Sequence, residues 1–301
     1  MKYYFIINPV AGSSNKTEIL TEEIKKAFSN RPNDEYIIYV TKNHNDGKQF
    51  VKEISSNLTE DVVFFACGGD GTTYEVLNGI VDYDKAILGV ISVGSCNDFL
   101  KCFPNKDFRS IEKAISGNVQ KIDLINCNGY HCLNEVNMGF DAMVNDDCNR
   151  IKAKTKKVKS AYTRAIIKNF LLKKSPYVLV TTDNEVLYEG KMLLMTFANG
   201  KYYGGGYCAA PLAEVNDGLL ESLVVKNISR ARFVTLIKDY KQGTHLSKPK
   251  FKRILRYKQA KEIKVEFKED VCICLDGEIS YAKEVNVKVE SSKLRFLMPG
   301  E

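Results

Sequence analysis

Four apolar runs punctuate the first third of the chain, and segments with helical periodicity separate them. "YYFII" (3–7), "YIIYVT" (36–41), "VVFFAC" (62–67) and "AILGVIS" (86–92) read as buried strands. Between and after them, "TEILTEEIKKAF" (17–28), "GKQFVKEISS" (47–56), a stretch over 72–81 and another around 107–116 read as helices. Ile19, Leu20, Ile24, Ala27 and Phe28 are expected on one face of the first helix, and Val76, Leu77, Ile80 and Val81 on one side of the third. Apolar strands alternating with amphipathic helices predict a doubly wound parallel sheet covered on both faces. Such sheets bind ligands beyond the carboxyl ends of their strands. Asn8, Gly12, Thr41, Gly68 to Thr73 and Gly94 to Asp98 fall at those ends.

The third strand runs into "CGGDGTT". Gly68, Gly69 and Gly71 allow a sharp turn and bring amide hydrogens against a ligand, with a helix N-terminus pointing into the same loop. That arrangement suits phosphate. Asp70 would repel phosphate unless a cation mediates, so it implies Mg²⁺ on a nucleotide. The plainer possibility is a glycine-rich turn that only redirects the chain.

Beyond about residue 126 the pattern changes. "YVLVTTD", "MLLMTFAN", "LLESLVV", "EIKVEF", "VCICLDGEI" and "VNVKVE" read as strands joined mostly without helices, interrupted by helical segments near 156–172 and 229–242. This predicts a nucleotide-binding α/β domain over 1–126 and a mostly antiparallel β-sandwich over 127–301, with a cleft between them. The closing strand is free to pack back on the first domain. A length of 301 residues suits two domains, and 44% hydrophobic with 27% charged residues is ordinary for globular proteins. The net charge of +7 favours phosphate-bearing ligands or an anionic membrane. Nine scattered cysteines without a C-x-x-C pair and three dispersed histidines make no metal pattern, and reduced, mostly buried thiols are expected in a cytoplasmic protein. The apolar start is too short for a signal peptide, and no run is long enough to span a membrane.

"GGDGTTYEVLNG" resembles the signature of the diacylglycerol kinase catalytic-domain family of bacterial lipid kinases, relatives of the sphingosine and ceramide kinases. The resemblance extends through "NPVAG" (8–12), Thr41, "GSCNDF" (94–99), "LNEVNMGFDA" (133–142), "PLAEVNDGLLE" (211–221) and "CLDGEI" (274–279). Tyr74, Ser95, Ser92 and Ala11 depart from the residues usual in the family (Asn, Thr, Pro and Ser), and Ser95 keeps the hydroxyl. The resemblance implies ATP bound by the first domain and a lipid site in the second. It assigns nucleotide contacts to Asn8, Pro9, Gly12, Thr41, Gly68, Gly69, Asp70, Gly71, Thr72, Thr73, Ser95 and Asn97. Capping of the next helix by Asn97 and Asp98 is an equal alternative. NAD kinase shares the glycine loop, and Asn134-Glu135 matches its ribose-binding pair, but "GSCNDF" with "DGE" follows the lipid-kinase pattern.

In the family the D-G-E segment supplies the catalytic carboxylate, here Asp276 or Glu278. At i and i+2 on a strand the two would face the same way, while an Asp-Gly hairpin turn is the other possibility. "AEVNDGLL" is similar to the family's structural Mg²⁺ loop, which implies Asp217 as side-chain ligand with the carbonyls of Glu214 and Leu219. An ordinary turn at Asp217-Gly218 is again the alternative.

From Arg150 to Lys174 there are ten basic residues and no acidic one: Arg150, Lys152, Lys154, Lys156, Lys157, Lys159, Arg164, Lys168, Lys173 and Lys174. Tyr162, Ile166, Ile167, Phe170 and Leu171 recur among them at helical spacing, and "KPKFKRILRYK" (248–258) is a second basic stretch. Basic charge on an apolar face suits a peripheral helix on an anionic membrane, with a solvated helix face as the alternative; no nucleic-acid motif accompanies it. The expected activity is an ATP- and Mg²⁺-dependent lipid kinase acting on diacylglycerol at the inner face of the membrane. NAD kinase and a non-catalytic nucleotide sensor are the rivals, and a homodimer stays open.

Overall fold

The computed structural model describes residues 1–12, 14–93, 97–154, 158–172 and 175–301, and only the backbone of residues 152–154, 158–160 and 162. Ser95, Lys156, Lys157, Lys173 and Lys174 therefore lie outside the described residues, as do the side chains of Lys152, Lys154, Lys159 and Tyr162. The chain forms two compact units, Met1–Leu124 with Ser291–Glu301, and Ile125–Glu290.

In the first unit, β1 (Lys2–Ile7) lies between β2 (Glu35–Val40) and β3 (Val62–Gly68), and β3 pairs with β4 (Ala86–Ser92). Arg295 and Phe296 of the closing strand add to β4, and the pairings among β1 to β4 and with this strand at β4 are parallel. Every residue of β3 is buried, as a central parallel strand requires, whereas the edge strand β2 alternates in exposure. α1 (Thr17–Phe28) lays Leu20, Ile24 and Phe28 over Tyr3, Phe5 and Ile7, and α4 (Ile111–Ile115) covers the same face. On the opposite face, Phe50 of α2 (Asp46–Ser55) stacks on Tyr39 at 3.8 Å between ring centroids and meets Tyr4 edge-on at 6.0 Å. Helices on both faces make the sheet doubly wound.

Phe5 and Phe65 are fully buried and stacked at 4.8 Å, so Phe65→Ala is expected to cost about 3–5 kcal/mol. Ile19 is 58% exposed because the buried stripe of α1 runs through Leu20, Ile24 and Phe28 at a spacing of four. The third helix, α3, occupies Asp70–Leu77 rather than 72–81, so Val81 lies past its end and is 53% exposed. α4 starts only at Ile111, where the Ser110 hydroxyl accepts the Lys113 amide at 3.2 Å.

β5 (Asn118–Cys127) carries the chain from the first unit into the second. There follow β6 (Tyr130–Cys132), β7 (Glu135–Gly139), α5 (Phe140–Lys154), α6 (Val158–Leu172), β8 (Tyr177–Thr182) and β9 (Glu185–Ala198). β10 (Leu220–Lys226), α7 (Arg230–Lys241), β11 (Leu255–Ala260), β12 (Glu262–Leu275) and β13 (Glu278–Met298) complete it. The pairings within this unit are antiparallel, and those of β12 with β8, β8 with β9, β9 with β7, and β7 with β12 return on themselves as a sandwich-like core. The helices pack their apolar sides on this core through Phe140, Ala161, Ala165 and Leu236.

α5 is a helix that the sequence pattern did not reveal. Its buried stripe is thin, Phe140, Val144 and Cys148 at a spacing of four, and "NDDCNR" between and beyond them is polar. No described cysteine is disulfide-bonded, and no described helix is long and apolar enough to cross a membrane.

Candidate active site

The glycine loop sits at the carboxyl end of β3, and the chain enters α3 directly through it. Gly68 allows the helix to approach, since a Cβ there would stand 2.2 Å from Thr72 Oγ1. Gly69 takes the N-cap position of α3, and no side chain caps the helix there. An N-terminus without a side-chain cap, at the end of a central parallel strand, concentrates amide dipoles where an anion can be received. Asp70 opens the helix and is half-buried, as is Gly71.

The neighbouring strand ends are tied to this loop. Asn8 Nδ2 donates to Thr72 Oγ1 at 3.0 Å, while the Asn8 amide donates to the Cys67 carbonyl at 3.1 Å. Thr41 follows β2, with its amide bonded to the Ile7 carbonyl at 2.9 Å. Pro9 lies in the turn after β1, and at Gly12 (φ 81°) a Cβ would stand 3.0 Å from the Val93 carbonyl oxygen. The Thr73 hydroxyl donates to the Gly69 carbonyl at 3.2 Å, so its proton is spent inside the helix. Asn97 is a brace rather than a cap: its Nδ2 donates to the Gly68 carbonyl at 3.3 Å and to Ser92 Oγ at 2.8 Å. Asp98 makes no capping bond either, and its carboxylate pairs with Lys101.

In the second unit, Asp276 and Gly277 form the two-residue turn joining β12 to β13, with φ of 48° and 98° and Leu275 paired to Glu278. Both central residues have positive φ, as a type I′ hairpin demands. The expectation that Asp276 and Glu278 share a strand face is thus corrected. Asp276 leaves the strand, and Glu278, half-buried, begins the next one. The turn and the buried carboxylate are one structure. Asp276 Oδ1 accepts the amides of Asn134 (3.1 Å) and Glu135 (2.8 Å), and Oδ2 accepts that of Leu133. Burial pushes its carboxyl up to about 6, against the pull of these three amides.

A buried polar seam continues from this nest along β7 and β9. Asn134 Nδ2 donates to Glu135 and to the Tyr202 carbonyl (2.9 Å), and Asn199 Nδ2 donates to the Leu133 carbonyl at 3.0 Å. Asn137 pairs in register with Thr196, whose hydroxyl donates to Tyr203 Oη at 3.2 Å. Tyr203 in turn donates to Asp141, a carboxyl that burial also pushes up to about 6. Asp141, Tyr203 and Tyr240 stand, with Asn145 and Tyr207, in a pocket otherwise lined by apolar residues and Gly204. No functional role for these three is read from the sequence. The signal available is one acidic residue placed directly after Phe140, within the family-like segment 133–142.

The third group lies apart in sequence. Asp217 is exposed, with Oδ1 accepting the Leu219 amide at 2.9 Å, and Gly218 (φ 72°) turns the chain between Glu214 and Leu219. A metal there would rest on one carboxylate and backbone carbonyls; no cluster of three or more His, Cys, Asp or Glu suited to a metal occurs among the described residues.

Residues 2–127 match the family model of the diacylglycerol kinase catalytic domain, and residues 134–298 match that of the YegS C-terminal NAD kinase beta sandwich-like domain. A diacylglycerol kinase of Bacillus subtilis (strain 168) is 29% identical over 289 residues, covering 91% of this chain and 88% of that protein. The crystal structure of a candidate diacylglycerol kinase from Bacillus anthracis str. Sterne superposes with a TM-score of 0.75 at 25% identity, over 99% of this chain and 96% of that one. An NAD kinase from Archaeoglobus fulgidus shares the fold alone, with a TM-score of 0.54 at 13% identity over 99% and 92% of the two chains. The two family models follow one another along nearly the whole chain, and the match to the Bacillus subtilis protein spans both: the chain belongs to the diacylglycerol kinase catalytic-domain family of lipid kinases.

Proposed function

We propose that the protein transfers the γ-phosphate of ATP to the hydroxyl of diacylglycerol, yielding phosphatidic acid. The observation that supports this most is the α3 N-terminus without a side-chain cap, held open by Gly68 and Gly69 at the end of β3. Its first-turn amides receive the phosphates, and Asn8, Pro9, Gly12, Thr41, Gly71, Thr72 and Thr73 surround the nucleotide, with Ser95 assigned to it on sequence likeness alone. Asn97 acts indirectly, by fixing the end of β3 against β4.

In the second unit Asp276 is the base. As the acceptor oxygen bonds to the γ-phosphorus, the bond from that phosphorus to the bridging oxygen breaks and ADP leaves, while the hydroxyl proton passes to Asp276. A carboxyl near 6 is ionised at neutral pH yet basic enough to take a proton, which favours Asp276 for the role. Glu278 flanks it on β13 and positions the acceptor. Bound Mg²⁺ would neutralise phosphate charge, with Asp70 at the nucleotide's ion and Asp217, with the carbonyls of Glu214 and Leu219, supplying the all-oxygen set that Mg²⁺ takes.

The same reading includes peripheral contact with an anionic membrane from the cytoplasm. Ile167, Leu171 and Leu172 of α6 are 54%, 64% and 56% exposed, within the basic run. Apolar side chains facing solvent beside positive charge suit insertion at a headgroup boundary. Labelled ATP offered with vesicles of diacylglycerol, ceramide, sphingosine or phosphatidylglycerol, and separately with NAD, tests the reaction. Label is expected in phosphatidic acid; label in NAD, or in no acceptor, overturns it.

A further inference from the structure

Lys16 stands where helix physics gives it no reason to be. It occupies the N-cap position of α1 (φ −107°, ψ 12°) and makes no capping bond there. An ammonium has only donors, so it cannot accept the free amides of a first turn, and its charge opposes the helix dipole. Its neighbour serves the helix instead, for Asn15 Oδ1 accepts the Thr17 amide at 2.9 Å. The Lys16 side chain reaches across to β4. Its Nζ donates to the Val93 carbonyl at 3.3 Å, 77 positions along the chain and just past the end of that strand. Val93 belongs to the frame of the glycine loop. Its amide donates to the Gly68 carbonyl at 3.1 Å, the oxygen that Asn97 Nδ2 also meets at 3.3 Å. One residue thus separates the Lys16 ammonium from the first glycine of the loop, at the carboxyl ends of β3 and β4. Lys16 is half-buried, and among the described residues its ammonium bonds to that carbonyl and pairs with no carboxylate. Two of its three N–H donors stay open.

A cation partly withdrawn from water without a counter-ion costs stability until an anion completes it. The first turn of α3, without a side-chain cap, offers amide dipoles to an anion from the same loop, whose single acidic residue is Asp70. We propose that Lys16 is a phosphate-binding residue: its ammonium, aimed by the Val93 carbonyl, pairs with phosphate oxygens received at the α3 N-terminus and makes affinity rise with phosphate charge. That the phosphates belong to ATP rests on the lipid-kinase reading; the pairing of Lys16 with a polyphosphate does not. Lysine suits this role as a compact point charge whose donors rotate to meet phosphate oxygens.

Lys16→Met keeps most of the side chain and removes its charge, Lys16→Gln is a second variant should the first fail to fold, and Lys16→Arg restores a cation. Calorimetric titrations use ATP, inorganic tripolyphosphate and adenosine, each at two salt concentrations. In Lys16→Met, ATP and tripolyphosphate are expected to bind at least about tenfold more weakly, and adenosine within about twofold of wild type. Tm should stay within about 2 °C of wild type, because the lost hydrogen bond is set against relief at the start of α1. Lys16→Arg should recover ATP affinity to within about threefold. Salt should weaken ATP binding more steeply in the wild type than in Lys16→Met, since salt screens the charge pair. A lowered Tm with all three ligands weakened alike would reduce Lys16 to a brace between α1 and β4 and overturn the proposal. Phosphate affinities unchanged from wild type would overturn it too. Tripolyphosphate bound in a Lys16-dependent way, with ATP not bound at all, would sink the kinase reading and leave Lys16 standing; label passing from ATP to lipid with phosphate affinity indifferent to Lys16 would do the reverse.

Discussion

The glycine loop of the first unit and the Asp-Gly turn of the second both put polar groups at the end of a strand, but they are built in opposite ways. The loop exposes backbone donors: Gly68 removes a side chain so that α3 can start at once, and no described side chain caps its N-terminus. The turn consumes backbone donors: three amides from Leu133 to Glu135 close on one buried carboxylate. One half is shaped to receive negative charge, and the other already holds it. A backbone site tolerates changes of neighbouring side chains but not of its glycines, whereas a side-chain site can be lost by exchanging one atom.

That contrast is sharpest for Asp276→Asn. An amide offers one oxygen to three N–H donors and turns its own N–H₂ toward the rest. Turnover is expected to fall by about 10²–10⁴, with a stability loss of about 1–3 kcal/mol from the unpaired amides. Glu278→Gln, outside the nest, should cost less than about tenfold in kcat and little in Tm. Measuring kcat beside thermal unfolding for both variants decides it; a larger kcat loss for Glu278→Gln would transfer the base to that residue.

On the loop side, Gly68→Ala forces a Cβ into Thr72 and shifts the start of α3. Nucleotide affinity should drop by about 10–100-fold, with a stability cost of about 1–3 kcal/mol. Lipid-chain binding in the second unit should hold. Calorimetric titration with an ATP analogue reads this, and an unchanged Kd would mean that the loop does not carry the phosphates.

The two regions also differ in how far the sequence discloses them. Glycines after an all-apolar strand are legible because few residues but glycine permit that approach, and the alternation of strands with helices marks the first sheet clearly. α1 even begins and ends where the periodicity places it, at Thr17 and Phe28. Asp276-Gly277 supports two readings, turn or buried carboxylate, because the sequence does not say whether an aspartate in a tight turn faces solvent. Its partners stand more than 140 positions away along the chain, which local pattern cannot reach. Asp141 is harder still: its pocket is lined by Leu, Ile, Val and Phe that look like core, and α5 hides behind a polar stretch. The β7–β9 register that aligns Asn137 with Thr196 is a tertiary outcome.

Acid should separate catalysis from stability within the second unit. Burial raises Asp276 from 3.8 to about 6 and Asp141 likewise. For a raised carboxyl the folded state holds its proton more tightly than the unfolded chain. The resulting stabilisation is full below about pH 4 and is lost as pH rises through about 6. The base must be ionised to work, so kcat should fall about tenfold per unit below pH 6, while these two groups add stability, each on the order of 2–3 kcal/mol at most. A pH series of kcat and of Tm should therefore diverge between pH 7 and 5, and Asp276→Asn should flatten its share of the stability change. Parallel decline of both quantities in the wild type would place the acid sensitivity elsewhere.

The smallest expected effect compares the units directly, through one helix cap in each. Ser110 Oγ accepts the Lys113 amide at 3.2 Å at the start of α4, and Ser229 Oγ accepts the Arg232 amide at 3.3 Å at the start of α7. Replacing either with Ala removes one satisfied amide and costs about 1 kcal/mol. α4 packs beneath the sheet and contributes nothing to the glycine loop, so Ser110→Ala should lower Tm by a few degrees and leave both ligands' affinities alone. α7 supplies Phe233, Leu236 and Tyr240 to the pocket wall, so loosening its first turn should weaken lipid binding by about twofold to fivefold with nucleotide affinity unchanged. Paired titrations of the two variants, with a short-chain diacylglycerol and with an ATP analogue, give four numbers of which only one should move. If Ser229→Ala shifts nucleotide binding as much as chain binding, the two sites are coupled through the second unit's helices, and the division between a backbone-built and a side-chain-built half no longer holds.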